Sequence, residues 1–103
     1  MGFRAKKRVP LAAKRGLKNL GRDLEMARLR RRLKMKVVAD RAGISRETLA
    51  KIQKGDPGVS IGNYAAAIYA IGLGTDWMTL ANIENDRLGR TLDEDRIPKR
   101  ARD

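Results

Sequence analysis

VADRAGISRETLAKIQKG, residues 38–55, is the stretch that most strongly determines how this chain folds. The small residue Ala39 stands four positions before Gly43, and apolar residues follow at Leu49 and Ile52. Glycine ends helices in the left-handed conformation without strain, and Ser45 is a favoured N-cap. The stretch therefore predicts a helix over residues 34–42, a sharp turn, and a third helix after Ser45. Together they form a helix-turn-helix arrangement.

The flanking sequence predicts the remaining helices. A first helix begins at about Lys18, a fourth follows Ser60 and ends near Ile71, and a short fifth covers residues 76–82. Residues 1–16 are interrupted by glycine and proline and predict a flexible basic arm, and residues 84–103 predict a polar C-terminal tail and candidate partner-docking segment. We therefore expect an all-α fold: a compact five-helix helix-turn-helix domain over residues 17–83 between these two tails.

The charge of the chain lies in its first third. The 103 residues carry 24 Lys and Arg against 12 Asp and Glu, a net charge of +12. Residues 1–36 hold 14 of the basic residues and two acids, whereas residues 37–103 hold ten of each kind. Such a block is typical of a chain with a polyanionic partner, namely DNA, RNA or an anionic membrane; a solvated, disordered tail is the alternative.

Composition also excludes several classes of protein. The chain has no Cys and no His, which removes disulfides, thiolate chemistry, histidine bases and the usual zinc ligands. It has no phosphate-binding glycine motif and no facing pair of carboxylates, so we expect no enzyme, no catalytic residue, no metal and no cofactor. No apolar run approaches the roughly 20 residues of a membrane span. We expect a protein of the prokaryotic cytoplasm with no membrane partner.

The outer face of the third helix carries the candidate base contacts, because such a helix fits the DNA major groove. Arg46 can bind guanine, and Glu47 can accept from cytosine or simply favour the helix dipole. Thr48 can contact the methyl group of a thymine or simply pack within the protein. Lys51 can contact either a base or a phosphate. Several positively charged side chains and one hydroxyl are candidates to bind the phosphates of the DNA backbone. For each arginine among them, the alternative is a solvent-exposed side chain with no partner. These candidate phosphate contacts are Ser45, Lys34, Lys36, Arg28, Arg31, Arg32 and Lys54.

Two further groups of residues are candidate contacts: the basic arm for DNA, and an apolar cluster for a second copy of the chain. The arm can reach a neighbouring minor groove or act only by long-range attraction, through Arg4, Lys6, Lys7 and Arg8. An apolar cluster after the fourth helix fits either the core or a homodimer interface, through Trp77, Met78, Leu80 and Ile83. Two-fold dimers match palindromic half-sites in double-stranded DNA.

Residues 31–73, RRLKMKVVADRAGISRETLAKIQKGDPGVSIGNYAAAIYAIGL, resemble the phage-repressor-like, XRE-type DNA-binding domain. The likeness covers about Leu20 to Leu73 and implies a five-helix fold. The following DRLGRTLDEDRIPKRARD, residues 86–103, is similar to HipB-type antitoxins. That resemblance implies a HipA-type Ser/Thr kinase toxin as partner and repression of the pair's own promoter. The chain departs from the family pattern at residues 33–35, where LKM replaces LTQ and removes an N-cap and a phosphate-binding glutamine. Lys34 or Lys36 can replace that contact by charge.

The leading hypothesis is a sequence-specific transcriptional repressor that is the antitoxin of a toxin–antitoxin pair. A stand-alone phage-type or host regulator is the nearest alternative. A non-specific basic nucleic-acid-binding protein is a further one, in which the arm and the first helix carry all binding.

Overall fold

A computed structural model of the chain describes residues 8–95. These residues form five α-helices and contain no β-strand, so the predicted compact all-α fold is confirmed. The helices are α1 (Leu11–Arg30), α2 (Met35–Ala42), α3 (Arg46–Gln53), α4 (Ile61–Ile71) and α5 (Arg87–Asp95). Two short 3-10 helices, Asp76–Thr79 and Ile83–Asn85, precede α5. The chain divides into two compact units, and the boundary falls between Leu73 and Gly74.

The first unit has one apolar core, to which α1, α2, α3 and α4 all contribute. α2 packs against α4, and α3 packs against both α1 and α2. Leu49 and Ile52 hold α3 in place, because neither exposes any of its surface. The buried apolar residues are Leu24, Ala27, Val38, Ala39, Leu49, Ile52, Tyr64, Ala67, Ile68 and Ile71.

The turn between α2 and α3 follows the sequence-based prediction. Gly43 takes the left-handed conformation with φ of 71°, and the N–H of Ile44 donates to the carbonyl of Ala39 at 3.0 Å. The hydroxyl of Ser45 then accepts from the N–H of Thr48 at 3.0 Å and caps α3. These bonds satisfy backbone groups at both helix ends and set the direction in which α3 leaves the turn.

A backbone contact between glycines joins α1 to the end of α3. A Cβ atom on Gly21 would lie 2.6 Å from both the nitrogen of Gly55 and the carbonyl oxygen of Ile52. Gly55 itself has φ of +74° and lies against the backbone of Leu17 and Lys18. Only glycine at both positions allows this approach, because any side chain there would meet backbone atoms that cannot rotate away.

The first helix begins at Leu11, which corrects the prediction of a flexible arm over residues 1–16. Residues 11–16 are the first turns of α1. Ala12, Ala13, Lys14 and Arg15 are strong helix formers, and Pro10 before them has the fixed φ that suits a helix start. Gly16 costs such a helix about 1 kcal/mol relative to alanine, which is too little to end it.

The second unit also differs from its prediction. Residues 76–82 form a 3-10 helix and a turn rather than a short α-helix, and the fifth α-helix lies at Arg87–Asp95, inside the predicted polar tail. The carboxylate of Asp86 accepts from the N–H of Gly89 at 3.0 Å and caps α5. The predicted division at residues 83 and 84 is likewise replaced by the boundary at Leu73. Residues 96–103 lie outside the described part of the chain.

Tyr64 anchors the turn that follows α3. It is buried, and its hydroxyl donates to the backbone carbonyl of Asp56 at 2.7 Å. The Asp56 carboxylate accepts from the N–H of Gly58 at 2.7 Å and shapes the same turn. Burial, followed by the nearby charge of Asp56, raises the pKa of Tyr64 above its ordinary value of 10.0.

The raised pKa makes the stability of the fold pH-dependent above pH 10. Below that pH both the folded and the unfolded tyrosine are neutral, so the stabilisation by Tyr64 is fully present. As pH rises, the unfolded tyrosine ionises first, and stability falls by up to about 1.4 kcal/mol per pH unit until the folded tyrosine ionises. We expect Tyr64→Phe to cost about 1 kcal/mol at neutral pH and to remove this fall. Urea unfolding from pH 8 to pH 11 measures both effects.

Tyr69→Phe is the matched control, because Tyr69 lies on the same helix and is exposed. Its pH profile should follow that of the unmodified chain. If Tyr64→Phe also shows the unmodified profile, the burial of that hydroxyl does not govern alkaline stability.

Candidate nucleic-acid interface

The outer side of α3 presents a set of polar side chains that we call the recognition face: Ser45, Arg46, Glu47, Thr48 and Lys51. All are exposed except Thr48, which is half-buried. Arg46, Glu47 and Lys51 form no side-chain hydrogen bond or ion pair with any residue in the described range 8–95. The helix beneath them is fixed by buried Leu49 and Ile52, so these groups are held outward on a rigid support.

Ser45 and Thr48 bond to one another at the start of the recognition face. The Ser45 hydroxyl accepts from the Thr48 N–H and donates to the Thr48 hydroxyl, both at 3.0 Å. The predicted capping role of Ser45 is confirmed. Its hydroxyl is already engaged in two hydrogen bonds, whereas the Thr48 hydroxyl retains a proton to donate.

Arg28 occupies a different position from the one predicted for it. Its side chain is only 8% exposed, and its Nε donates to the Gln53 side-chain oxygen at 2.8 Å. Its Nη1 donates to the carbonyl of Leu33, also at 2.8 Å. These bonds link α1, the α1–α2 junction and the end of α3, so we correct the role of Arg28 from a phosphate contact to a bridge between helices. Sequence reasoning missed Gln53, because nothing in the local pattern indicates its distant partner.

The junction between α1 and α2 gathers the other predicted phosphate contacts. Arg31, Arg32, Lys34 and Lys36 are all exposed within six residues of chain. Arg31 donates to the carbonyl of Ala27 in its own helix at 3.1 Å. Lys36 lies 3.4 Å from the carboxylate of Asp40, an exposed pair of the kind worth about 0–1 kcal/mol.

Arg32 stands in a conformation that favours glycine. It has φ of 54° and is the only non-glycine residue in the described part of the chain with a positive φ. Its N–H donates to the carbonyl of Leu29 at 2.9 Å, and the N–H of Leu33 donates to that of Arg28 at 3.1 Å. These two bonds form the glycine-type C-cap of α1, with an arginine where glycine is usual. The left-handed conformation costs about 1–2 kcal/mol, and it holds the Arg32 side chain outward.

The fold also brings Lys34 towards Lys54. Gln53 bonds to Arg28 and lies 3.9 Å from the sulfur of Met35, so the end of α3 meets the start of α2. Lys34 and Lys54 directly adjoin these contacts in sequence, and both are exposed. Lys34 stands at the N-cap of α2 and makes no side-chain cap hydrogen bond.

The remaining predicted site residues lie elsewhere. Arg8 is exposed just before α1, whereas Arg4, Lys6 and Lys7 lie outside the described residues. The predicted dimer residues belong to the second unit, where Met78, Leu80 and Ile83 are exposed and Trp77 is half-buried. Leu88 and Leu92 of α5 are also exposed there, at 69% and 50%. The sequence analysis missed these two leucines, because residues 84–95 otherwise read as polar.

The described residues of the two units differ in the sign of their net charge. Residues 8–73 hold 15 Lys and Arg against five Asp and Glu, whereas residues 74–95 hold two against six. Lys36 is the single cation of residues 8–95 that lies within ion-pair distance of a carboxylate. The positive charge of the first unit is therefore left for an external anion to neutralise.

Among residues 8–95, no group of three or more acidic side chains is placed to hold a metal ion. The described helices are too short or too polar to cross a membrane. Comparison with protein-family models, with curated proteins and with solved structures returned no match to this chain.

Proposed function

We propose that this chain is a sequence-specific DNA-binding transcriptional repressor that inserts α3 into the major groove. The observation that carries the proposal is the recognition face itself. Arg46, Glu47 and Lys51 have no partner among the described residues, and they stand on a helix that buried Leu49 and Ile52 hold in place. Base readout needs polar side chains that are free to contact bases and that stand on a rigid helix. A flexible helix would lose conformational entropy on binding, which would weaken the complex.

Each part of the interface has a separate task in this proposal. Arg46 binds the O6 and N7 atoms of a guanine, and Glu47 accepts from a cytosine amine. Lys34, Lys54 and Arg32 bind phosphates on either side and set the register of α3, without reading sequence. When a dimer occupies both half-sites of a palindromic operator, with one copy of α3 on each, it excludes RNA polymerase from the promoter.

A homodimer fits this mechanism, and α5 offers a surface for it. Leu88 and Leu92 lie one turn apart on one side of α5, and the same helix carries Arg87 near its start and Glu94 near its end. In an antiparallel pair about a two-fold axis, Leu88 of one copy meets Leu92 of the other, so the two leucines of each copy cover those of its partner. We propose a second copy of the chain as the occupant of this surface.

Leu88→Gln combined with Leu92→Gln tests the dimer. Glutamine keeps helix propensity but removes the apolar contact. We expect the dimer dissociation constant to rise at least about tenfold, because the dimer no longer buries the apolar surface of two leucines. Leu11→Gln, which replaces an exposed leucine of α1, is the control. Sedimentation velocity over a concentration series measures the change, and equal dimer stability in all three chains would rule out α5 as the interface.

The resemblance to HipB-type antitoxins supports a more specific form of the proposal. In that form the chain represses its own operon and also binds a HipA-type Ser/Thr kinase toxin through its C-terminal part. A kinase-like protein encoded by the adjacent gene would favour this form. Its absence would favour a stand-alone regulator of the phage or host type in the bacterial cytoplasm.

A reporter assay tests the repressor function. The region upstream of the chain's own gene drives a reporter, and the chain is supplied from a second promoter. We expect expression to fall when the chain is present, and to recover when Arg46→Ala replaces it at equal abundance. Unchanged expression with the unmodified chain would argue against repression of that promoter.

A further inference from the structure

The first half of α1 extends beyond the core of its unit. The earliest buried residue of α1 is Gly21, and every residue from Leu11 to Leu20 is exposed except half-buried Leu17. We call residues 11–20 the helical extension. Because the backbone of Leu17 and Lys18 lies against Gly55, the six residues 11–16 reach beyond that contact, by about 9 Å at a rise of 1.5 Å per residue.

The helical extension is positively charged at the end where a helix disfavours cations. Lys14, Arg15, Lys18 and Arg22 precede the first acid of α1, Asp23. The first turn contains no acid, and Pro10 provides no side-chain cap. The helix dipole acts within about the first turn, so Lys14 and its neighbour Arg15 oppose it at a cost of roughly 0.3–1 kcal/mol each, whereas Lys18 and Arg22 lie beyond its range. An anion bound there would remove this cost.

None of these four cations has a partner among residues 8–95. Their side chains form no hydrogen bond or ion pair with any described residue. Nor does the core require residues 11–16, which are all exposed. A segment that breaks a local rule without a structural benefit commonly serves function.

The helical extension leaves the core beside the C-terminal end of α3. Lys14, Lys18 and Gly21 are spaced at i, i+4 and i+7 and share one side of α1. Gly21 on that side lies against the backbone of Gly55, directly after exposed Lys54. The backbone of Lys18 therefore lies against Gly55, the residue that follows Lys54, and Lys14 lies one turn further out.

We propose that the helical extension binds the phosphate backbone of duplex DNA beside the bases that α3 reads. The inference rests on the proposed function, which places α3 in the major groove. A helix about 10–12 Å wide does not enter a minor groove about 6 Å wide, so Lys14 and Arg15 lie on the backbone rather than within that groove. Residues 11–16 reach about 9 Å beyond the contact with Gly55, which spans about two to three base pairs, and their contribution is independent of sequence.

Lys14→Gln combined with Arg15→Gln in the full chain tests the proposal. Glutamine preserves helix propensity, so the variant removes charge and little else. Binding is measured by fluorescence anisotropy at several salt concentrations. One duplex ends at the bases read by α3, and a second extends beyond them on both sides with arbitrary sequence. The short duplex is the internal control, since the helical extension has nothing to contact on it.

We expect the unmodified chain to bind the long duplex more tightly and with a steeper salt dependence. The variant should lose at least about tenfold affinity for the long duplex, and its salt slope should fall by about 0.9 for each lost phosphate contact. Its binding to the short duplex should not change. The same loss on long duplexes of any sequence would support the helical extension even if base readout by α3 failed.

Two results would overturn the proposal. If the variant equals the unmodified chain on the long duplex while Arg46→Ala still abolishes preference for the operator, the proposed function stands and the helical extension does not touch DNA. If the variant instead loses binding to anionic phosphatidylglycerol vesicles and keeps its DNA affinity, the occupant is a lipid surface.

Discussion

Gly21→Ala should lower the free energy of unfolding of the first unit by about 2 kcal/mol or more, since overpacking typically costs about 1–3 kcal/mol and here meets only backbone. The added Cβ would lie 2.6 Å from the nitrogen of Gly55 and from the carbonyl of Ile52. Neither atom can move without shifting the end of α3. For a unit of this size the melting temperature should fall by roughly 10 °C.

Gly16→Ala is the matched control, because it makes the same change five residues earlier in the same helix. A Cβ on Gly16 meets nothing within 4 Å. The substitution should therefore stabilise the chain by about 0.5–1 kcal/mol through helix propensity alone. Thermal melts followed by far-ultraviolet circular dichroism give both numbers. Equal melting temperatures for the two variants would mean that α1 does not meet the turn after α3.

Arg46→Ala should have the largest effect on binding. A bidentate contact between arginine and guanine is worth about 1–3 kcal/mol, and a dimer on a palindrome makes two of them. We therefore expect affinity for the operator to fall by a factor between about 30 and 25,000, with little change for scrambled DNA. Stability should not change, because Arg46 is exposed and has no partner among the described residues.

Arg41→Ala is the control for this prediction. Arg41 is an exposed arginine of α2, so its loss removes the same charge outside the recognition face. The substitution should lower the affinity for operator DNA and for scrambled DNA to the same degree, and so leave the ratio of the two affinities unchanged. A comparable fall of that ratio in both variants would show that charge, rather than base contact, produces the effect.

The local features of the fold were predictable from sequence. Gly43 and Ser45 each act on neighbouring backbone groups, and their effects on helix ends depend little on distant residues. The burial of Leu49 and Ile52 follows in the same way from helical spacing. The recognition face was therefore located before the structure was known.

Features that depend on distant contacts were not predictable. Gly21 reads as a weak point in a helix until Gly55 is seen against it, and Arg28 reads as one more surface cation until Gln53 is placed beside it. The sequence predicts a start of α1 at about Lys18, whereas the helix begins at Leu11. Gly16 is typical of a helix end, but the four strong helix formers before it outweigh its cost. α5 was missed because two leucines in a polar segment give a weak periodic signal.

The most direct test of base readout by α3 is an equilibrium binding titration. A duplex from the region upstream of the chain's own gene is compared with a scrambled duplex of the same composition, at several salt concentrations. We predict that the upstream duplex binds more than about a thousandfold more tightly, and that the ratio collapses in Arg46→Ala. Equal binding to both duplexes, with a steep salt dependence that Arg46→Ala leaves unchanged, would contradict the account.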